Sequence, residues 1–238
     1  MKGLLVRVAA DQTNIGGKYN GPVDSNTKTF AYVAIRESKR IRSGQYKKLY
    51  QLVNGSVSKF GQSLPKRLVD EPMHLDPDFE HLTYGDENQR GKQITDHVEE
   101  GDLIVFYAGL QDIYNHRPLV YAIIGLYVID EIVENISQIP EPRWNENAHT
   151  RLIPSDNSND IVVRAKPDCS GRLQSCIPIG GYRKNAYRVR RDLLKAWGGI
   201  SSNDGYIQRS ARLPKLKDPE KFYDWFLRQN PVFLKRNN

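Results

Sequence analysis

Two histidines and four acidic residues lie within one fifteen-residue stretch of the chain, PMHLDPDFEHLTYGD, at residues 72–86. Histidine and carboxylate side chains transfer protons near neutral pH, so a cluster of them could activate water or another nucleophile. In an extended segment alternate side chains share one face, because strand side chains repeat every two residues. The candidate acids and bases of this stretch are His74, Asp76, Asp78, Glu80, His81 and Asp86.

Part of the same stretch also has a purely structural interpretation. DPDFEHL resembles DPEKFYDWF near the C-terminal end, and in both an aspartate before proline is suited to capping a helix. This predicts a helix start at residues 76–78, but it leaves the two histidines and Asp86 unexplained. A metal could also use the extended face. The spacing matches no specific metal template, so we assign no metal ligands and leave the cofactor open.

Two further candidates for acid–base chemistry lie elsewhere in the chain. Asp11 ends GLLVRVAAD, the first predicted strand, and His149 belongs to RWNENAHTR at residues 143–151. In the second motif the Trp144 ring lies among amide side chains, which suits the capture of a planar base. The alternative is that Trp144 anchors the core with a solvated loop beside it.

Positive charge is concentrated in the C-terminal third of the chain. Residues 161–238 hold 17 of the 35 Lys and Arg residues but only 6 of the 28 acidic residues. Such an asymmetry favours a polyanionic partner, the alternative being a mildly basic protein that binds nothing anionic. Within GGYRKNAYRVRRD, tyrosines alternate with cations, and a helix there would place Arg183, Tyr187 and Arg191 on one face. The candidates for nucleic-acid binding are Tyr107, Trp144, Tyr182, Arg183, Lys184, Tyr187, Arg188, Arg190, Arg191, Arg209 and Arg212.

The elements that must position these side chains are predicted as strands with a few helices. GLLVRVAAD, TFAYVAIRES and DIVVRAKP are strand-like, and residues 103–108 and 119–134 form a central antiparallel hairpin. AYRVRRDLLKAWGG is predicted as a helix that ends at its glycine pair, and Asp218 caps a last helix. The fold class is α+β, with helices at the margin of a mixed, largely antiparallel sheet. Closure of this sheet into a β-barrel is an option.

We expect one domain over residues 1–238, with the basic region 161–238 packed on it. No apolar run is long enough to cross a bilayer, so we expect no membrane partner and a cytoplasmic location. In that compartment Cys169 and Cys176 are expected as free thiols.

Two resemblances follow from these motifs. The strands GDLIVFYAGL and LVYAIIGLYVIDEIVE resemble the central hairpin of PUA-like domains, above all the EVE and ASCH families, which are small β-barrels. Several of those bind modified or flipped nucleobases. Nearly the whole chain resembles the nucleotide modification associated domain families, through LLVRVAADQTNIGGKYNGPVD, FAYVAI, PMHLDPDFEHLTYGD, GDLIVFYAG, RWNENAH and DGYIQRSARLP. This second resemblance implies a setting in DNA base modification and leaves the reaction open.

We therefore predict a DNA-acting protein that recognises or processes a modified base or nucleotide. RNA is not excluded as the nucleic acid, and a nuclease or modification enzyme is an expected partner. One alternative is a non-catalytic reader of modified bases. Another is a metal-dependent endonuclease that uses Glu80, Asp86 and Lys92. Whether the protein is an enzyme stays open from the sequence.

Overall fold

The computed structural model describes residues 1–10, 19–42, 48–153, 159–208 and 212–238. Its strands are β1 (Gly3–Arg7), β2 (Pro22–Val23), β3 (Ile35–Arg36), β4 (Met73–His74), β5 (Thr83–Asp86), β6 (Leu103–Asp112), β7 (Val120–Val133), β8 (Ile161–Ala165), β9 (Gly171–Pro178), β10 (Gly180–Arg183), β11 (Ala186–Val189) and β12 (Phe233–Leu234). Its α-helices are α1 (Gln51–Ser58), α2 (Lys66–Val69), α3 (Asn88–Thr95), α4 (Ala148–Arg151), α5 (Arg191–Ala196) and α6 (Pro219–Leu227).

The centre of the fold is the predicted antiparallel hairpin, formed by β6 and β7. The main sheet runs in the order β1-β6-β7-β8-β5, with β2 also paired to β6, β9 to β7 and β12 to β9. β1 and β2 run parallel to β6, and the other pairs of this sheet are antiparallel. The α+β class with a mixed, mostly antiparallel sheet is confirmed. Within the described residues the sheet does not close, so the barrel option is wrong.

The central hairpin is apolar on both faces because the two faces pack against separate cores. Along β6, Ile104 and Phe106 join one cluster of buried side chains, and Val105 and Tyr107 join the other. This alternation follows from the two-residue repeat of a strand. Each fully buried aliphatic or aromatic side chain contributes about 1.5–3 kcal/mol, so these strands are the rigid base on which the loops stand.

Several local predictions are confirmed and others are corrected. Asp218 caps α6, accepting a hydrogen bond from the Lys221 backbone N–H at 3.1 Å, and α5 is followed by Gly198 with φ of +76°. The helix predicted from residue 186 instead begins at α5, because residues 180–189 form the hairpin β10–β11. Its turn, Lys184 and Asn185, has positive φ at both residues. The TFAYVAIRES stretch is buried over residues 30–34, but it pairs as a strand only at β3.

The predicted helix start at residues 76–78 is also wrong. Residues 79–82 form a turn between β4 and β5, and no helix begins there. The backbone N–H groups of this turn, those of Glu80 and His81, donate to Asp78 rather than to Asp76, at 3.2 and 3.4 Å. Among the described residues, no helix combines the length and the apolarity needed to cross a membrane.

Candidate functional site

A cleft of about 720 Å³ lies beside the carboxyl end of β1, and four of the predicted catalytic side chains line it, those of His74, Asp76, Asp86 and His149. His74, Asp76 and His149 each present one nitrogen or oxygen atom within 4.8 Å of the other two. The two imidazole rings meet edge to face, with centroids 5.0 Å apart. We call these three residues the histidine–aspartate centre. They are separated by up to 75 positions in the sequence and are brought together by the fold.

Each histidine of the centre is fixed by a buried carboxylate. The Nδ1 atom of His74 lies 2.6 Å from Oε2 of Glu37, and Nδ1 of His149 lies 3.1 Å from Oδ1 of Asp160. The side chains of both acids are no more than 6% exposed. A carboxylate on Nδ1 holds the proton there, which orients the ring and leaves Nε2 with its lone pair for chemistry.

Short strand pairs place the two acids. β3 pairs with β4 so that Ile35 lies opposite His74, and Glu37 follows directly after β3. In the same way, β5 pairs with β8 so that Asp86 lies opposite Ile161, which brings Asp160 to that end of the cleft. The sequence favours these strands only weakly, so tertiary contacts decide the geometry of the centre.

Asn147 connects the aspartate of the centre to the helix that carries His149. It caps α4 by accepting the His149 backbone N–H at 2.9 Å, and its side-chain amide donates to Oδ1 of Asp76 at 2.9 Å. The Gly85 backbone N–H donates to the same Oδ1 at 2.8 Å. Oδ2 of Asp76 therefore faces His149, whose Nε2 lies 3.9 Å away. A side chain at position 85 would collide with this arrangement, because an added Cβ would lie 2.3 Å from Cδ2 of His149.

Burial and charge act against each other on the titrating groups of the centre. Burial raises the pKa of Asp76, although the nearby histidines oppose this effect. Burial lowers the pKa of His149, but the hydrogen bond to Asp160 and the charge of Asp76 outweigh it, so the pKa is raised overall. These perturbations are typical of a functional site in a cleft.

A second group of linked side chains forms the adjacent wall. The Tyr84 hydroxyl donates to Oδ2 of Asp86, and it accepts from Nη2 of Arg90 at 3.1 Å. Arg90 also lies 3.1 Å from Asp86 through its Nε atom. Burial raises the pKa of Tyr84 well above its usual range, so this hydroxyl stays protonated and acts as a donor.

Positive side chains surround the centre. Arg36 and Lys39 are half exposed and paired with Glu71 and Glu87 at 2.9 and 2.7 Å. Among the described residues, the cations that line the cleft are Arg7, Arg36, Lys39, Arg90 and Arg212. Only the last of them comes from the basic C-terminal third of the sequence, so the cations of the cleft come mainly from its acidic part.

The model of one protein family, nucleotide modification associated domain 3, matches residues 2–217 of the chain. The chain belongs to this family. The match confirms the resemblance to the nucleotide modification associated domain families, and it ties the chain to nucleotide modification. The resemblance of the central hairpin to PUA-like domains stays a prediction. The comparisons with curated proteins and with solved structures return no match.

In this member of the nucleotide modification associated domain 3 family, the other residues of the charged stretch lie away from the centre. Asp78 is fully buried and binds Arg151 at 2.8 Å and Asn237 at 3.0 Å. His81 lies 3.1 Å from Asp78, and Glu80 is exposed. The atoms of Asp78, Glu80 and His81 are close enough for a metal, but Arg151 already balances the aspartate. The structure does not bring Glu80 or Lys92 to the cleft with Asp86.

The predicted nucleic-acid contacts are divided between the cleft and the hairpin β10–β11. Tyr107 and Arg212 line the cleft, although Tyr107 is only 3% exposed and donates to the Ile207 carbonyl. Trp144 lies outside it, with Arg42 over its ring and its indole N–H bonded to the Ile139 carbonyl at 2.8 Å. This matches the interpretation of Trp144 as an anchor.

On the hairpin, Arg183, Lys184 and Arg188 converge on Asp204, which offsets part of their charge. Tyr182 is exposed, and Tyr187 stacks on Tyr121 at 4.2 Å. Arg190 is exposed and lies 3.4 Å from Asp192, and Arg191 is exposed at the start of α5. The role of these residues in binding nucleic acid stays a prediction. Asp11 and Arg209 lie outside the described residues.

Sequence reasoning missed the two buried acids behind the histidines and most of the cations of the cleft. Glu37 lies near the end of the predicted strand TFAYVAIRES, and Asp160 is the first residue of the predicted strand DIVVRAKP. An acidic residue at the edge of an apolar run was the available signal. It is a weak signal, because acids at strand ends are common on solvated surfaces.

Proposed function

We propose that the chain binds a modified base or nucleotide of DNA in the cleft and acts on it beside the histidine–aspartate centre. The observation that carries this proposal is the combination, in one cleft, of that centre with the five surrounding cations. The family supplies the setting of nucleotide modification.

The size and charge of the cleft suit one nucleotide unit. Its volume of about 720 Å³ is within the range of roughly 300–1,000 Å³ that is usual for small-molecule sites. Arginine side chains bind phosphate oxygens through paired N–H donors, and lysine does so as a point charge. Arg36 and Lys39 are held by exposed acids, and a phosphate could replace those acids at little cost, because exposed ion pairs contribute only about 0–1 kcal/mol.

The hairpin β10–β11 offers contacts for a nucleic-acid strand that continues beyond the cleft. Arg7 lines the cleft and lies over the Tyr121 ring at 5.2 Å, and Tyr121 stacks on Tyr187 of β11. The exposed Tyr182 ring lies 5.2 Å from the Tyr187 ring, and Lys184 follows in the turn of the same hairpin, so a phosphate backbone leaving the cleft would pass along this hairpin.

Binding of short DNA duplexes and single strands, with and without modified bases, tests the proposal across a salt series. We expect one modified base to bind more tightly and the affinity to fall as salt rises. Mass spectrometry of the same samples reports any change of the base. A binder without turnover would be a reader, the second class of function considered from the sequence.

Matched variants locate the binding. Replacing Arg36 and Lys39 with alanine should weaken nucleotide binding, whereas Lys166→Ala removes a lysine that is paired with Glu100 outside the cleft and should not. Lys184→Ala should reduce the salt dependence of the affinity for long nucleic-acid strands, but it should not change the affinity for a single nucleotide. Equal affinity of the Arg36/Lys39 variant and the unaltered protein for every ligand would refute binding in the cleft.

A further inference from the structure

The histidine–aspartate centre has the residue types and the spatial arrangement of a metal site. Two histidines and one carboxylate that leave open positions on one side are the ligand set of mononuclear non-haem Fe²⁺ sites. Imidazole nitrogen also suits Co²⁺, Ni²⁺, Cu²⁺ and Zn²⁺. We propose that His74, Asp76 and His149 bind one divalent first-row transition-metal ion at the floor of the cleft.

The ligand atoms face one another without being bonded to one another. The Nε2 atom of His149 lies 3.9 Å from Oδ2 of Asp76, which is beyond hydrogen-bond distance. The proton on Nδ1 of each ring is directed to its acid, so the lone pair of Nε2 points away from that acid. Three electron-rich atoms within 4.8 Å of one another leave a gap that a cation would fill.

The spacing needs only a small contraction for metal binding. Ligand atoms at about 2.0–2.2 Å from one ion are roughly 3.0–3.5 Å apart when their bonds are near right angles or tetrahedral. Movement of the side chains by about 0.5–1 Å is therefore sufficient. The remaining coordination positions face the cleft, where they are open to water or to a group of the bound ligand.

The surroundings of the three ligands match what a metal requires. Ligating histidines usually donate their second N–H to a carboxylate, as both do here to Glu37 and Asp160. One oxygen of Asp76 is held by Gly85 and Asn147, which leaves the other oxygen as a single ligand.

Charge favours a cation at the same place. With neutral imidazoles, the acids Glu37, Asp76 and Asp160 carry three negative charges in side chains that are at most 6% exposed. The nearby cations Lys39 and Arg90 are each paired with an acid of their own, at 2.7 and 3.1 Å. A divalent ion would offset two of the three charges.

Titration of the purified, metal-stripped chain with Co²⁺ tests this proposal without any nucleotide, so its outcome is separate from that of the proposed function. We expect about one Co²⁺ per chain, a rise in the unfolding temperature, and the weak visible absorption of a five- or six-coordinate ion. No binding would overturn the site.

Variants assign the ligands. Asp76→Asn keeps the size of the side chain and should weaken Co²⁺ binding at least 100-fold, and Glu37→Gln should weaken it by about 10- to 100-fold through the orientation of His74. His81→Ala tests the neighbouring cluster and His116→Ala tests an exposed histidine, and neither should change the affinity. Circular dichroism checks that each variant is folded. Unchanged affinity in both Asp76→Asn and Glu37→Gln, or loss of binding in His81→Ala, would overturn the assignment.

Discussion

Replacing Arg151 with methionine should destabilise the protein strongly, because it removes the guanidinium group that is paired with a buried carboxylate. The side chains of Arg151 and Asp78 are 3% and 0% exposed and are joined at 2.8 Å. Removing one partner of a buried ion pair costs about 3–5 kcal/mol. Asp78 keeps His81 at 3.1 Å and hydrogen bonds from Asn237 and from backbone N–H groups, so we expect the lower part of that range, about 3 kcal/mol.

Urea unfolding at pH 7 measures this cost, and a double-mutant cycle isolates the pair. In the Arg151→Met, Asp78→Asn double variant the buried charge is also gone. The double variant should therefore lose less stability than the two single variants summed, by about 1–3 kcal/mol. Lys166→Met breaks an exposed pair with Glu100 and should cost less than about 1 kcal/mol. A loss below about 1 kcal/mol in Arg151→Met, or additive single variants, would refute the reasoning.

Three further predictions follow from the packing. Gly85→Ala should cost about 1–3 kcal/mol and weaken Co²⁺ binding, because the new methyl group meets the ring of His149; an unchanged melting temperature and affinity would contradict this. Removing residues 237–238 should cost about 2–4 kcal/mol in urea unfolding, because their side chains make four hydrogen bonds to the body of the fold. Iodoacetamide at pH 8 should label the half-buried Cys169, whereas mass spectra should show Cys176 unlabelled until the chain is unfolded. Burial raises the pKa of Cys176 to about 12, so the fraction of its thiol that is ionised at pH 8 is on the order of 10⁻⁴.

The parts of the fold that the sequence predicts well are those in which local pattern and burial agree. The central hairpin is apolar over whole strands, so β6 and β7 are evident. The hairpin β10–β11 is not evident from the sequence, because its turn is Lys184-Asn185 rather than the Asn-Gly or Asp-Gly that usually marks a two-residue turn. Its arginines and tyrosines fit a helical face equally well, and only pairing with a second strand decides between the two.

The candidate site shows a different limit of sequence reasoning. His74, Asp76 and His149 were each predicted as acids or bases, since their residue types carry that chemistry. The convergence of His149 with the other two was not predictable, because no periodicity relates positions separated by more than 70 residues. The same holds for Glu37, which lies 37 residues from the histidine that it orients.

The charged stretch at residues 72–86 combines the two explanations that its residue types suggest. His74 and Asp76 are two residues apart and both line the cleft, as an extended segment requires. Asp78 continues the same spacing, yet the chain turns after it, and its carboxylate enters the core to meet Arg151. The buried pair thus fixes the turn two residues beyond Asp76, while α4 carries both Arg151 and His149. An ion pair of purely structural role therefore holds together the two segments that form the histidine–aspartate centre, which explains why so many ionisable side chains occur in one short segment.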